Sequence, residues 1–502
     1  MNPLNLKIMR NFVFPLVVAM LLSVASFAQT QIGNDIHGEA ADDWSGRSIS
    51  MPDAHTVAIG APYNNGNGIN AGHVRVYHLI GNIWVQKGAD IDGEAAEDFF
   101  GIVVSMPDAN TLAIGAPYND GNGINAGHVK VFTWNGTAWV QKGIDIEGEA
   151  ANDKSGSSVS MPDANTIAIG APESDGAGSE AGHVRIFTWN SASGTWVQKG
   201  ADIDGEAAGD QSGHAVSMPD ANTVAIGAPY NEDTGVQAGH VRVYYWNGFT
   251  WVQKGVDLDG EFAVDHSGRA VSMPDANTLA IGAPYNDGNG TNAGQVRVYE
   301  WTGFTWLQKG FDIDGETMSD DAGWSVSMPD ASTVAIGAAD NNGNGSLSGH
   351  VRVYKWDLVT HVWVQKGGDI DGEAAGDLSG WSICMPDTST IGIGAPLNID
   401  NGVNAGHVRV YDLSGITAVI ETKTLPNLQA YPNPNSGQLN IDLGEMMSVE
   451  VRVYNSLGQL LKQEQYNNQN LIALDLEGAA GIYFVEIVAA DGTSSRLKVT
   501  KR

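Results

Sequence analysis

Two groups of side chains in this 502-residue chain could do chemistry. The first is acidic. Asp90-Ile91-Asp92-Gly93-Glu94-Ala95-Ala96-Glu97-Asp98 gathers Asp90, Asp92, Glu94 and Asp98, and the phrase returns with Asp202, Asp204, Glu206 and Asp210. Further copies begin at Asp145, Asp257, Asp312 and Asp369, and an altered one, carrying His37, begins at Asp35. Carboxylates at this density supply the hard oxygen donors that calcium takes, so the phrase is a candidate calcium site. It lacks the spacing of an EF-hand loop, and Asp-Gly is also a turn in which carboxylates accept backbone N–H groups without any metal. Both readings stand.

The second group is mixed. Trp44, Phe99, Lys154, Gln211, His266, Asp321 and Leu378 each precede a Ser/Phe/Ala-Gly pair, and Arg47, Ile102, Ser157, His214, Arg269, Trp324 and Trp381 each follow it. Aromatic, guanidinium and imidazole groups in one set suit recognition of a carbohydrate or a peptide. The candidate ligand-binding residues are therefore Trp44, Arg47, Phe99, Lys154, Gln211, His214, His266, Arg269, Asp321, Trp324 and Trp381. Catalysis needs an asymmetric constellation, and only His214, His266, Arg269 and Asp321 offer one.

These groups must be positioned by a repeat. Met-Pro-Asp occurs at Met51, Met106, Met161, Met218, Met273, Met328 and Met385, at steps of 55 or 57 residues. Each copy leads into an Ile-Gly-Ala run and then a Gly-x-Val run, and a fixed period of this length marks a repeat architecture. Period-2 alternation and Gly/Asn/Asp punctuation predict four strands per unit. In the first unit these are Ser45 to Met51, Thr56 to Pro62, Gly72 to Leu79 and Ile83 to Gly88, with a tight hairpin at Pro52-Asp53-Ala54-His55. Four antiparallel strands repeated seven times predict an all-β, seven-bladed β-propeller over residues 29–412.

The fourth-strand run Trp-Val/Leu-Gln-Lys-Gly occurs six times, from Trp84 to Trp363, and the seventh unit ends at Tyr411-Asp412 without it. The segment near Gln29–Gly33 aligns with the end of that run and is predicted to cover the open edge of the last blade. The variable residues then lie where each innermost strand begins and ring the channel mouth. After Asp412 the period stops. Residues 413–427 read as a linker and 428–502 as a small C-terminal β-sandwich, with Val449, Val451 and Val453 alternating along one strand.

The repeat also demotes residues. Cys384 occupies a slot that is Ser50, Ser105, Ser160, Ser217, Ser272 and Ser327 elsewhere, so it reads as a packing residue. His73, His128, His183, His240, His350 and His407 recur where unit five has Gln295, so they read as framework hydrogen-bonders. The fourth-strand tryptophans read as outer-blade packing. Asn/Asp/Gly loops such as Asn64-Asn65-Gly66-Asn67-Gly68 read as surface turns or as a second oxygen-rich set on the same face.

Lys+Arg 26 against Asp+Glu 58 gives a net charge of −32, which argues against nucleic acid as partner. One cysteine excludes an intrachain disulfide. Lys7 and Arg10 precede an apolar run from Phe12 to Val24, and Ser26-Phe27-Ala28 is a small-x-small site, so residues 1–28 read as a signal peptide. No segment is apolar for long enough to be a transmembrane anchor. A monomer is expected.

Phe99-Phe100-Gly101 followed by Gly115-Ala116-Pro117 resembles the FG-GAP repeat of integrin-α-type propellers, and the resemblance extends over about 29–412. Other units replace Phe by Ser or Ala, and unit six reads Gly337-Ala338-Ala339. Many FG-GAP repeats carry a D-x-D-x-D-G calcium loop between the first two strands; here that connection is only Pro-Asp-Ala-Asn or similar. The tail resembles the type IX secretion sorting domain of Bacteroidota, through Tyr431-Pro432-Asn433-Pro434, Gly437, Val453-Tyr454-Asn455, Leu457-Gly458, Gly481-Ile482-Tyr483 and the basic end Lys498, Lys501, Arg502. That resemblance implies passage across the outer membrane by the type IX machinery, then surface attachment or release. The expected function is a secreted or cell-surface, non-catalytic binding or adhesion protein with a glycan or protein ligand. The alternatives are an extracellular polysaccharide lyase or hydrolase using the same face, or a purely structural surface protein. No nucleophile elbow, zincin helix or phosphate loop is present.

Overall fold

The computed structural model describes residues 29–415, 429–432, 434–455, 460–476, 478–479, 481–489 and 494–502; the predicted signal peptide and most of the predicted linker lie outside them. Among the described residues there is no helix, and the strands form eight five-stranded sheets. The chain divides between Ala418 and Val419 into two compact units.

Seven sheets are the blades of a propeller. Blade one runs outward through Ser48–Asp53, Thr56–Ala61, His73–Ile80 and Ile83–Gln86. The second strand is buried at every position, because other blades cover both of its faces, and a short continuous apolar run is what such a strand requires. The core therefore lies between blades. One cluster joins Val74, Val76 and Ile91 of blade one to Phe100, Val104, Leu112 and Ile114 of blade two. Each fully buried Ile or Leu in such a layer contributes roughly 1.5–3 kcal/mol.

The blades differ from the sequence expectation in two details. The hairpin turn is Ala54-His55, with Asp53 paired to Thr56, and Pro52 lies inside the first strand at a bulge between Ser50 and Asp53. A residue without an N–H fits a bulge, where the ladder is already interrupted. Asp53 makes the turn by accepting the His55 N–H at 2.8 Å. The outer edge, in turn, consists of two pieces. After Gln86 the chain leaves the sheet, and Ile91–Asp92 returns to pair with His73 and Val74. The Gln86 side-chain amide donates to Asp90 at 2.6 Å and ties off the excursion. The acidic phrase thus begins on the edge of one blade and only then crosses to the next.

In the seventh blade the N-terminal segment supplies both edge pieces. Thr30–Gln31 pairs with Tyr411 and Asp412, and Ile36–His37 pairs with His407 and Val408. Ile32 repeats the role of Lys87: its carbonyl accepts the indole N–H of Trp84 at 2.9 Å, as that of Lys87 does for Trp139 at 2.8 Å. The segment covers the outer edge of His407–Asp412, which would otherwise lie open.

The C-terminal unit is a β-sandwich made of one hydrogen-bonded sheet. Gln438–Asn455 pairs along its length with Leu460–Asp475, while its other edge is shared by Gln429–Tyr431 near one end and Gly481–Ala489 near the other. Its pairing shifts register between Asp442 and Val449. Leu439 and Ile441 before that shift share one core with Val451, Val453, Val485 and Val499, so the sheet folds over on itself.

Candidate functional site at the channel mouth

The seven innermost strands enclose one cavity of about 460 Å³, lined by residues of every blade. That volume is in the range of ligand pockets. The residue after each repeated glycine faces it: Arg47, Ile102, Ser157, His214, Arg269, Trp324 and Trp381. Lys154 and Gln211 also line it, whereas Trp44, Phe99, His266 and Asp321 stand on the rim outside the lining set.

Within the cavity four side chains form a stack. Arg269 lies over the Trp324 ring at 4.3 Å, Trp324 and Trp381 are 4.7 Å apart, and Arg47 lies over Trp381 at 5.0 Å. A guanidinium on an indole face is an attractive arrangement that grows stronger as water is excluded. Among the described residues, neither arginine forms an ion pair. Burial and the neighbouring Arg269 push the Arg47 guanidinium down to about 10, so it remains charged at neutral pH. Burial, then Arg269 and Arg47, hold the His214 imidazole well below its usual range and therefore neutral. A protein of net charge −32 thus presents a cationic, aromatic pit.

The rim is built from two alternating positions. One is the residue before the Ser/Phe/Ala-Gly pair. In all seven blades it has a left-handed backbone, from φ 52° at Lys154, Gln211 and His266 to φ 55° at Trp44. Such a conformation costs roughly 1–2 kcal/mol for a residue with a side chain. It is held by a bond across the blade boundary; the Phe99 N–H, for example, donates to the Asn70 carbonyl at 3.1 Å. The other position follows Gly-Ala-Pro/Ala: Tyr63, Tyr118, Glu173, Tyr230, Tyr285, Asp340 and Leu397. The sequence reading missed this set, although the same test of variation between repeats would have found it.

The two positions interleave around the mouth. Trp44, Tyr63, Phe99 and Tyr118 form a run of rings 4.5, 5.1 and 5.0 Å apart. Lys154 continues it, over Tyr118 at 5.0 Å and paired with Glu173 at 2.6 Å. On blades four and five His266 sits between Tyr230 at 4.8 Å and Tyr285 at 4.9 Å. On blade six burial, with Asp340 and Asp320 nearby, raises Asp321 to about 7.

The acidic phrase is dispersed rather than convergent. Asp98 is buried and accepts the N–H of Ala95 at 3.1 Å and the side-chain amide of Asn119 at 3.0 Å. Asp210 repeats this with Ala207 and Asn231. Glu94 pairs with Lys130 of the next blade, and Glu206 with Arg242 at 3.3 Å. Asp90 groups with Glu39 and His73, and Asp92 lies exposed on the edge strand. The four acids of one phrase therefore do not face a common point, and their repeated contacts latch blade to blade. The strand connection that holds calcium in many FG-GAP repeats is here the two-residue turn Ala54-His55, closed by Asp53, and it does not fit the ion.

Cys384 and the histidines sit in the framework. Each serine of the Cys384 slot accepts the N–H of a methionine in the next blade, as Ser50 does from Met106 at 2.9 Å. Burial raises the Cys384 thiol to about 11, which keeps it protonated.

Residues 89–132 match the FG-GAP repeat family, and residues 429–501 match the secretion system C-terminal sorting domain. No curated protein matches the chain. Among solved structures it is similar to the β-propeller domain of the trilobed protease from Pyrococcus furiosus, at 9% identity over 74% of this chain and 96% of that one, with a TM-score of 0.41. It is also similar to the GH74 xyloglucanase from Xanthomonas campestris, at 12% identity and a TM-score of 0.39, covering 84% of this chain and 60% of that one. The sorting domain marks the chain for export to the extracellular space or the cell surface. Among the described residues no helix is long and apolar enough to cross a membrane.

Proposed function

We propose that this extracellular propeller is a non-catalytic binding or adhesion protein whose channel mouth takes an acidic ligand, a glycan carrying carboxylates or sulfates or an acidic peptide segment. The observation that carries this reading is the stack Arg269–Trp324–Trp381–Arg47 inside a protein that is otherwise strongly acidic. Indole faces accept the apolar faces of sugar rings. Guanidinium groups lacking a carboxylate of their own supply charge-assisted, bidentate contacts to an anion. The surrounding negative charge repels polyanions in general, so binding is confined to segments that reach the pit. A glycan and matrix-protein array probed with the full chain, alongside Trp324→Ala and Trp381→Ala, tests the reading. Specific signals from acidic ligands that vanish in both variants support it, and signals unaffected by either substitution oppose it.

Asp321 favours a second reading, an extracellular polysaccharide lyase or hydrolase. A carboxyl raised to about 7 is a serviceable proton donor near neutrality. Turnover of an acidic polysaccharide that is lost in Asp321→Asn would replace the first reading with this one.

A further inference from the structure

At the closure of the ring, two departures from the repeat meet. The edge residue opposite the third-strand histidine or glutamine is acidic in six units: Asp92, Glu147, Asp204, Asp259, Asp314 and Asp371. In the closing blade it is His37, directly opposite His407. The fifth residue after strand two is glycine in five units, aspartate in blade four (Asp233) and aspartate in blade seven (Asp400). At four of these glycines a Cβ would point toward the acidic edge residue: at Gly121 it would lie 2.9 Å from Glu147, and at Gly343 3.5 Å from Asp371. In blade four the extra aspartate, Asp233, meets His240 among acids only, with Asp259 at the edge position. In blade seven Asp400 meets two imidazoles, His37 and His407.

His37, Asp400 and His407 each offer a donor atom within 4.8 Å of the others. The His407 ring is 0% exposed, and neither of its nitrogens has a hydrogen-bond partner; Nδ1 of His37 is also buried and unpartnered. Nδ1 of His407 lies 3.9 Å from Asp35 and 3.8 Å from Glu373, too far for hydrogen bonds. Unpaired buried nitrogens of this kind cost stability unless something else occupies them. Arg409 engages Glu373 at 3.4 Å and the Gln31 amide donates to Asp35 Oδ1 at 2.5 Å, which leaves the Asp400 carboxylate and the second Asp35 oxygen for the imidazoles.

We infer that His37, His407 and Asp400, with Asp35 beside them, bind a divalent transition-metal cation of the zinc class that staples the N-terminal segment to the last blade. Two imidazoles and a carboxylate suit such an ion better than calcium, which prefers an all-oxygen shell. Bonds of about 2.0–2.2 Å would draw donors now within 4.8 Å to about 3.3 Å from one another, a shift that side-chain rotation supplies. His37 belongs to the closing segment and His407 and Asp400 to blade seven, so binding requires a closed ring and stabilises it.

The test is titration of the chelator-treated full chain with ZnCl2, followed by calorimetry and by thermal melting, with CoCl2 as a spectroscopic substitute. The expected result is one tight equivalent, a raised melting temperature and the ligand-field absorption of a four-coordinate Co(II) site. His37→Asp and Asp400→Gly install residues that other blades carry at the same positions, so the fold is preserved. Each is expected to abolish the equivalent and the melting shift. Asp233→Gly, in blade four, is expected to leave both unchanged. Absence of a stoichiometric equivalent in the parent chain, or its persistence in His37→Asp, would overturn the inference. So would its loss in Asp233→Gly.

Discussion

Cys384 Sγ accepts the backbone N–H of Met51 at 3.3 Å, and this bond closes a ring of seven. The other six are made by serines, from Ser50 to Met106 at 2.9 Å round to Ser327 to Met385 at 2.9 Å. The last blade also has Gly392 where the others have alanine, and a Cβ there would lie 2.6 Å from the Met51 sulfur. The seam between first and last blades is thus repacked on both strands, with a larger acceptor on one and a missing methyl on the other.

Cys384→Ala leaves the Met51 N–H buried without a partner and is expected to lower stability by about 1–2 kcal/mol. Cys384→Ser restores the acceptor used by the other blades and should stay within about 1 kcal/mol of the parent chain. Denaturant melts of the two variants separate a hydrogen-bonding role from mere filling of space; equal losses would favour the latter.

The left-handed rim positions make a second prediction. Gln211 has φ 52° and a half-buried side chain. Gln211→Gly should leave stability unchanged or raise it by up to about 1 kcal/mol, because glycine adopts this backbone without strain. Gln211→Val should lower it, since a β-branched residue is least at ease there. Thermal melts of both variants check the sign.

Asp321 should make stability depend on pH near neutrality. Its carboxyl is raised to about 7, by burial first and then by Asp340 and Asp320. The folded state therefore holds this proton more tightly than the unfolded chain. The resulting stability is fully present below the ordinary carboxylate range and is lost as pH rises through about 7. Asp321→Asn should remove that part of the decline, so its gain in melting temperature over the parent should be larger at about pH 8.5 than at about pH 5.

The buried histidines act in the opposite sense. His73 and His350 are pushed down to about 4, by burial and by Arg75 and Arg352 respectively, against the weaker pull of Asp90 and Asp43 or of Asp369 and Asp320. The unfolded chain takes up their protons near pH 6.5 and the folded protein does not. Stability is full above about pH 6.5 and falls as pH drops toward about 4. Blade five shows that glutamine fits this position, as Gln295. His73→Gln and His350→Gln should therefore flatten the acid limb of a melting-temperature profile, and an unchanged slope would contradict the assignment.

Much of this was legible because the sequence repeats. Met-Pro-Asp at a near-constant step set the number of blades, and the missing seventh Trp-Val-Gln-Lys-Gly pointed to the segment that pairs with Tyr411 and Asp412. Comparing repeats also separated shared framework from variable mouth, which placed Arg47, Trp324 and Trp381 in the cavity. Contacts between blades were not legible, because nothing in a strand's own pattern says what its neighbour offers. The serine slot read as packing, yet it accepts a hydrogen bond from the next blade. Asp90, Asp92, Glu94 and Asp98 are adjacent in sequence, but the chain leaves one blade and enters another within that phrase, and their partners diverge. The Tyr63 and Tyr118 positions were overlooked because they follow the conserved-looking Gly-Ala-Pro run rather than the glycine of the innermost strand.

Anion recognition at the channel mouth is tested most directly by calorimetric titration of the full chain with oligogalacturonate and, separately, with its neutral methyl ester. Binding of the acidic form alone is expected, weakened about tenfold or more by Arg47→Gln or Arg269→Gln, in line with the loss of a charge-assisted hydrogen bond. Array-positive sulfated or peptide anions should obey the same dependence. Equal binding of the charged and neutral forms, or acidic-ligand binding that survives loss of both arginines, would contradict it.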